Sequence, residues 1–279
     1  MPNAPQYPAL SDRRVLLTGA AGSIGRMVRP LLAPHVRELR LADRQHVSVV
    51  HPHETAHVVD LTVPDACDRV VAGVDAIVHF AGYAEEGDWA TLLQANIVVV
   101  TTLWEAAVRH GVERIVYATS NHAIGFHERA VRIDGKAEVR PDTRYGVTKV
   151  FMEALASLHA DKHGLRGFGI RIGRTDTEPR DARALSHWVH PEDLAALVRV
   201  GLEADYLFEI VYGVSANSRS WWDNTRALEL GYRPQHSADA FIAALEDKVE
   251  GDAVAERYQG GPYAAMEYAG DPSRPARRR

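Results

Sequence analysis

Short apolar runs alternate with stretches of helical spacing through the first two thirds of the chain. Arg14-Val-Leu-Leu-Thr18, Glu38-Leu-Arg-Leu-Ala-Asp43, His57-Val-Val-Asp60, Asp75-Ala-Ile-Val-His-Phe80, Arg114-Ile-Val-Tyr-Ala118 and Gly167-Phe-Gly-Ile-Arg171 read as strands. A short, nearly continuous apolar run bounded by turn residues suits a strand buried on both faces. Helices are predicted from Ser23, over Pro64 to Ala72, over Gln94 to His110, and from about Thr143 to His163. Gly111 and Gly164 close the last two, as glycines past a helix end commonly do. Pro30 falls inside the first helix, where its missing donor and ring clash should kink or shorten it. The charged, turn-rich segment from Ser120 to Asp142 reads as a loop. Alternation of this kind predicts an α/β fold, a Rossmann-like doubly wound parallel sheet with helices on both faces. From about Thr175 the rhythm is lost. A helix opening at Pro191, a strand Phe208-Glu-Ile-Val-Tyr212, a helix from Trp221 and another from Ala238 are expected to form a small cap over the open end of the sheet.

Composition narrows the class. The chain has 279 residues, 46% of them hydrophobic and 25% charged, enough to bury a core without disulfide or structural metal. A net charge of −5 leaves no electrostatic footprint for nucleic acid or an anionic membrane. The Arg-rich end, Arg-Pro-Ala-Arg-Arg-Arg279, therefore reads as a mobile, solvated tail. Cys67 is the one cysteine and has no internal disulfide partner, which fits a reducing, cytoplasmic setting. The N-terminal residues carry no apolar leader, and no apolar run approaches the ~18 residues of a membrane span.

Thr18-Gly-Ala-Ala-Gly-Ser-Ile-Gly25 follows a predicted strand and opens a predicted helix. Gly19 permits the tight turn, Gly22 the close approach of backbone to a pyrophosphate, and Gly25 the packing of helix on strand. Free N–H groups and the positive end of the dipole complete an anion site. Asp43 ends the second strand at the distance expected of a carboxylate that holds both adenosine ribose hydroxyls. A carboxylate there repels a 2′-phosphate and favours NAD over NADP, a preference that Arg44 weakens slightly. Asp60, ending the third strand, is placed to reach the adenine. Residues 1–174 thus read as an NAD-binding domain and 175–279 as a substrate-binding cap packed on it in one structural unit.

Tyr145 and Lys149 lie four apart on a predicted helix and share one face. A nearby ammonium stabilises phenolate, so Tyr145 is expected to have a lowered pKa and to serve as a general base. Ser120, just past the fifth strand, lies at the same carboxyl edge and offers a hydroxyl to the reacting oxygen.

These residues, with His79-Phe-Ala-Gly82 and Asn96, resemble the extended short-chain dehydrogenase/reductase superfamily, of the NAD-dependent epimerase/dehydratase type. The resemblance implies hydride transfer at C4 of a nicotinamide, with Lys149 also holding the nicotinamide ribose. It further implies cofactor contacts from Ser23, Ile24, Leu61, Phe80, Ala81, Gly82, Asn96, Tyr145 and Ile172. The acid pair of the sugar-nucleotide dehydratases is absent after Thr119. Ser120-Asn-His122 instead is similar to the uronate dehydrogenases. So are Arg171-Ile-Gly173, Glu178-Pro179, Leu185-Ser-x-Trp188, Ser215-Ala-Asn217, Trp221-Trp-Asp-Asn224 and Tyr258-Gln-Gly-Gly261.

That likeness implies a pyranose hexuronic acid oxidised at C1 to an aldarolactone, with NAD as acceptor and no metal. Ser120 and Tyr145 would contact the anomeric hydroxyl, Asn121 and His122 other ring hydroxyls, and Arg183 the C6 carboxylate. Assembly into a homo-oligomer through the Gln94 and Tyr145 helices is expected by analogy alone. Two positions depart from the family, Ala84 and Arg174, where small hydroxyl residues are usual. Arg174 either strengthens carboxylate binding, replaces a contact, or selects a different, more anionic sugar acid, or else is neutralised by Glu85 or Glu86 and fills space. A sugar-nucleotide epimerase and a catalytically inactive dinucleotide-binding protein are the competing readings. Three histidines in His51-Pro-His-Glu-Thr-Ala-His57 lack the completing ligands of a metal site. His187 and His190 are read as packing and helix-entry residues, and Trp221 and Trp222 as anchors of the cap.

Overall fold

The structure, a computed structural model, describes residues 9–249 and 251–273. The Arg-rich tail lies outside them. Strands β1 (Arg14–Thr18), β2 (Glu38–Asp43), β3 (Glu54–Val58), β4 (Ala76–His79), β5 (Arg114–Ser120), β6 (Arg166–Ile172) and β7 (Phe208–Gly213) form one sheet. Its order is β3-β2-β1-β4-β5-β6-β7, and every pairing is parallel. The chain starts in the middle, winds to one edge, then returns across β1, so the order reverses between β1 and β4. In such sheets a crevice opens at the carboxyl ends of the strands at that reversal.

Two helical layers cover the sheet. On one face, Val28 and Leu32 of α1 (Ser23–Leu32) pack with Leu194, Leu197, Val198 and Leu202 of α5 (Pro191–Glu203). On the other lie α2 (Pro64–Val71), α3 (Trp89–Arg109) and α4 (Arg144–His163). They contribute Val70, Val71, Leu103, Trp104, Met152 and Ala156. α3 is long and apolar enough to cross a membrane by length and composition, its apolar positions being interrupted by polar ones and so forming no continuous run. Its buried Val99, Val100, Leu103, Trp104, Ala106 and Ala107 are part of the protein core.

Several elements differ from expectation, each for a local reason. Pro30 shortens α1, which passes into a 3₁₀ turn at Ala33–His35. β3 begins at Glu54, earlier than the apolar run suggested, and its other residues are exposed. It is an edge strand anchored by a charge. Burial pushes the Glu54 carboxyl up, but Arg29 and the amides of His51 and Val50 overcome this and hold it at about 2. Arg29 binds both carboxylate oxygens, at 2.8 and 2.6 Å. α3 starts at Trp89, capped by Asp88, whose side chain accepts from the Thr91 amide. The segment Phe208–Tyr212, expected in the cap, is the seventh strand of the main sheet. Its neighbour α5 covers that sheet. No helix starts at Trp221. Trp222 is buried against Tyr212, rings stacked at 4.6 Å, and the helix begins at Thr225.

One buried ion pair joins the layers beneath the carboxyl edge. Glu153 on α4 takes Arg171 of β6 in a bidentate pair at 2.9 and 2.8 Å and the Thr119 hydroxyl of β5 at 2.7 Å. Glu153→Gln leaves Arg171 charged in the core and is expected to cost about 3 kcal/mol or more in denaturant unfolding. Replacing both partners by apolar residues of similar volume should cost far less.

Candidate active site

The turn from β1 to α1 has no room for a side chain at Gly19. Its φ is +71°, and a Cβ would lie 2.5 Å from the Phe80 and Ala81 backbone. Gly22 starts α1 with no side-chain cap, and Gly22 and Ser23 are exposed. The first-turn N–H groups therefore face outward without a protein acceptor from a cap, the arrangement that takes a pyrophosphate. Asp43 closes the cradle. Its carboxylate accepts from the Ala21 amide at 3.0 Å and the Gln45 amide at 2.9 Å. Each oxygen retains acceptor capacity for a ribose hydroxyl. These features fit a dinucleotide. Asp60 accepts the Thr62 amide and hydroxyl at 2.9 and 2.7 Å, bonds that lower its pKa, and so shapes the turn that carries buried Leu61. Phe80 and Ala81 are half-buried and Gly82 exposed at the end of β4.

Asn96 sits in a π-helical segment of α3, Leu93–Val98; such bulges often mark functional sites. Its amide is committed to protein groups. The oxygen accepts from Tyr83 N at 2.7 Å, and the nitrogen donates to Tyr83 O at 2.9 Å and to Thr148 Oγ1 at 3.1 Å. Asn96 thereby ties the β4 loop to the helix that carries Tyr145 and Lys149.

The first turn of α4 docks on the end of β5. Lys149 donates to the Ala118 carbonyl at 2.9 Å, and its ammonium lies 5.5 Å from the Tyr145 ring centroid. Burial pushes Lys149 down to about 8, with Glu153 opposing the shift. Tyr145 is 6% exposed. Burial is the largest influence on its phenol and pushes it above its ordinary value; a hydrogen bond with Ser120 acts the other way. The expected acidification by Lys149 is therefore reversed in the protein by itself. Enclosure of the phenol outweighs its polar neighbours.

Ser120 accepts from the His122 amide at 3.1 Å, starting a single turn, Asn121–Ala123. This turn brings three predicted substrate residues to one place. With its amide oriented to satisfy both ends, Asn121 donates to Ile172 O and accepts from Arg183 Nη2, each at 3.2 Å. His122 pairs through Nδ1 with Asp142 at 2.8 Å and meets the Tyr145 ring edge-on at 5.9 Å. Arg183 contacts His187 Nε2 at 2.6 Å and donates to the Gln259 carbonyl at 2.7 Å. His187 is buried, and burial together with Arg183 keeps it neutral.

Arg174 stands apart from this group. Its side chain is 43% exposed and lies 3.8 Å from Asp176, which also pairs with Arg180. Glu86 is engaged elsewhere, with Arg144 at 2.8 Å and the Tyr145 amide at 2.9 Å. Ala84 is exposed on the β4–α3 loop. His51 stacks on His53. Among the described residues, the group with three candidate metal-ligand atoms close together is His190, Glu192 and His236.

Sequence reasoning missed Asp142 and Tyr263, met Gln259 only within Tyr258-Gln-Gly-Gly261, and read His187 as a packing residue. Asp142 stands one residue before the α4 cap Thr143, His187 lies one helical turn from Arg183, and Gln259 and Tyr263 are held by contacts distant in the chain. Only the Gly-Gly pair after Gln259 signalled a close approach.

A doubly wound sheet with a glycine turn at its reversal and a Ser/Tyr/Lys cluster beside it defines a dinucleotide-dependent oxidoreductase architecture. Residues 15–192 match the model of the NAD dependent epimerase/dehydratase family, and the chain belongs to that family. It is 41% identical to a uronate dehydrogenase of Pseudomonas syringae pv. tomato, over 92% of this chain and 95% of that one. Its structure is similar to that of a glucuronic acid dehydrogenase from Chromohalobacter salexigens (TM-score 0.87, 39% identity, 93% and 98% of the two chains). A uronate dehydrogenase variant from Agrobacterium tumefaciens complexed with NAD is likewise similar (TM-score 0.86, 38% identity, 91% and 97%).

The buried amine has a measurable signature. The chain has four lysines, and NMR titration of labelled lysine should give Lys149 a midpoint near 8, against about 10.4 for exposed ones. Between those values the unfolded chain binds more protons at this position than the folded protein does. The Lys149 contribution to stability therefore rises with pH across that window, and its full penalty is present below it.

Proposed function

We propose that the protein is an NAD-dependent dehydrogenase that oxidises a hexuronic acid, such as glucuronate or galacturonate, at C1 to the aldarolactone. The observation that carries this reading is the convergence of Ser120, Tyr145, Asn121, His122 and Arg183 at one strand end. The same edge bears the glycine turn. Bound there, NAD supplies the hydride acceptor.

Arg183 offers a planar, permanently charged fork to the C6 carboxylate. Its guanidinium is held in place by His187, the Gln259 carbonyl and Asn121, so less orientation is lost when substrate arrives. Asn121 and His122 hold ring hydroxyls. Ser120 and Tyr145 hold the C1 hydroxyl oxygen. The C1 hydrogen leaves as hydride, and Tyr145 takes the hydroxyl proton as C1 becomes a carbonyl carbon. This step needs the phenolate. Ser120 favours it by hydrogen bonding, and the Lys149 ammonium favours it by charge. The closed surroundings keep water from competing for the proton.

Protein mixed with NAD and a panel of uronates should produce reduced nicotinamide with glucuronate or galacturonate. Silence across the panel would refute the proposal. Tyr145→Phe should lower turnover by roughly 10³-fold or more while leaving NAD affinity largely intact. Arg183→Ala should raise KM for the sugar acid by roughly 100-fold, the loss of a charge-assisted fork.

A further inference from the structure

The segment Gln259-Gly-Gly-Pro-Tyr263 runs over the substrate end of the site, and successive residues touch successive site groups. Gln259 is fully buried. It accepts from Trp222 Nε1 at 2.9 Å and donates to the Val131 and Glu128 carbonyls at 3.0 and 3.2 Å. Its carbonyl receives Arg183. A Cβ on Gly260 would overlap the Asp142 carboxylate, and one on Gly261 would press on the Arg183 guanidinium. Gly261 has φ +63°, so it both turns the chain and leaves room for Arg183. The turn delivers Tyr263 face-on to His122, ring centroids 4.3 Å apart and planes 22° from parallel. The Glu86 amide hydrogen-bonds the Tyr263 hydroxyl, tying the far end of the ring to the loop after β4.

His122 is consequently held on three sides. Asp142 fixes Nδ1, Tyr145 meets one edge, and Tyr263 covers a face. A carboxylate on Nδ1 selects a tautomer and leaves Nε2 to address a ligand. It does not stop the ring turning about that bond; a flat ring packed on the imidazole face does. We propose that Tyr263 is a positioning residue for the sugar acid, aligning His122 so that Nε2 meets a ring hydroxyl. The inference rests on the proposed role of His122 as a substrate ligand. The C-terminal segment is thereby part of the specificity apparatus, although it lies outside residues 15–192 that define the family.

The experiment compares Tyr263→Phe and Tyr263→Leu with the native enzyme. Kinetics with the active uronate are combined with NAD titration, thermal unfolding and the His122 Cε1–H resonance, assigned through His122→Asn. Tyr263→Phe keeps the flat ring and should stay within about twofold of native KM. Tyr263→Leu should raise KM for the sugar acid about tenfold or more, with kcat within a few-fold and NAD affinity and Tm unchanged. The native His122 resonance should be displaced upfield by the facing ring, should keep that position in the Phe variant and lose it in the Leu variant. This last reading needs no turnover, so inactivity of native protein on every uronate would sink the proposed function while the resonance still decided the placement of His122. The proposal is overturned by an undisplaced native resonance, or by a Leu variant with native KM. It is equally overturned if the rise in KM comes together with a loss of NAD affinity and a lower Tm, or if Phe behaves like Leu.

Discussion

The docking of one helical turn on one strand end governs this site. Lys149 reaches back to the Ala118 carbonyl at 2.9 Å, and this bond sets the height of α4 over β5. Tyr145, four residues earlier, then stands beside Ser120 because the helix repeat leaves no other direction for it. Two further ties hold the contact. Asn96 binds Thr148 from α3, and Glu153 gathers Thr119 and Arg171 below. A shift of α4 by even one ångström would separate phenol, hydroxyl and amine, a displacement sufficient to lose much of the benefit of orientation.

The same contact places charged and ionisable groups where they are costly. Lys149 is pushed down to about 8 and the Tyr145 phenol is pushed up, both chiefly through burial. A protein built for stability alone would put apolar residues there. Enclosure brings strength to each remaining electrostatic contact. The two groups are thus shifted in opposite directions by one cause, burial, the pattern of perturbed ionisable neighbours that clusters at functional sites.

Much of this was legible in the sequence. The β1 turn, Asp43, Ser120, Tyr145 and Lys149 could be placed at one edge of the sheet from the sequence because each depends on local backbone geometry or on position along one element. Arg183, Asn121 and His122 also came from resemblance, and the structure places them together. The edge strand β3 was misplaced because what anchors it is the buried carboxylate of Glu54, which a search for apolar runs passes over. Phe208–Tyr212 was assigned to the cap because its partner, β6, is far away in the chain. The acidified phenol was wrong in direction for a similar reason. The i, i+4 spacing reports who the neighbours are, whereas the depth of burial is a property of the assembled fold. Tyr263 escaped notice, and Gln259 was seen only as part of a motif, since contacts far apart in the chain bring them to the site.

The central claim is that the Tyr145–Ser120 pair faces C1 of a hexuronic acid at the carboxyl edge of the sheet. Transfer of an isotopic label tests it most directly. With glucuronate or galacturonate deuterated at C1 and NAD as acceptor, the deuterium should appear at C4 of the reduced nicotinamide, and the product should be the lactone. Reduced nicotinamide free of deuterium, or a label retained at C1 of the product, would contradict the account.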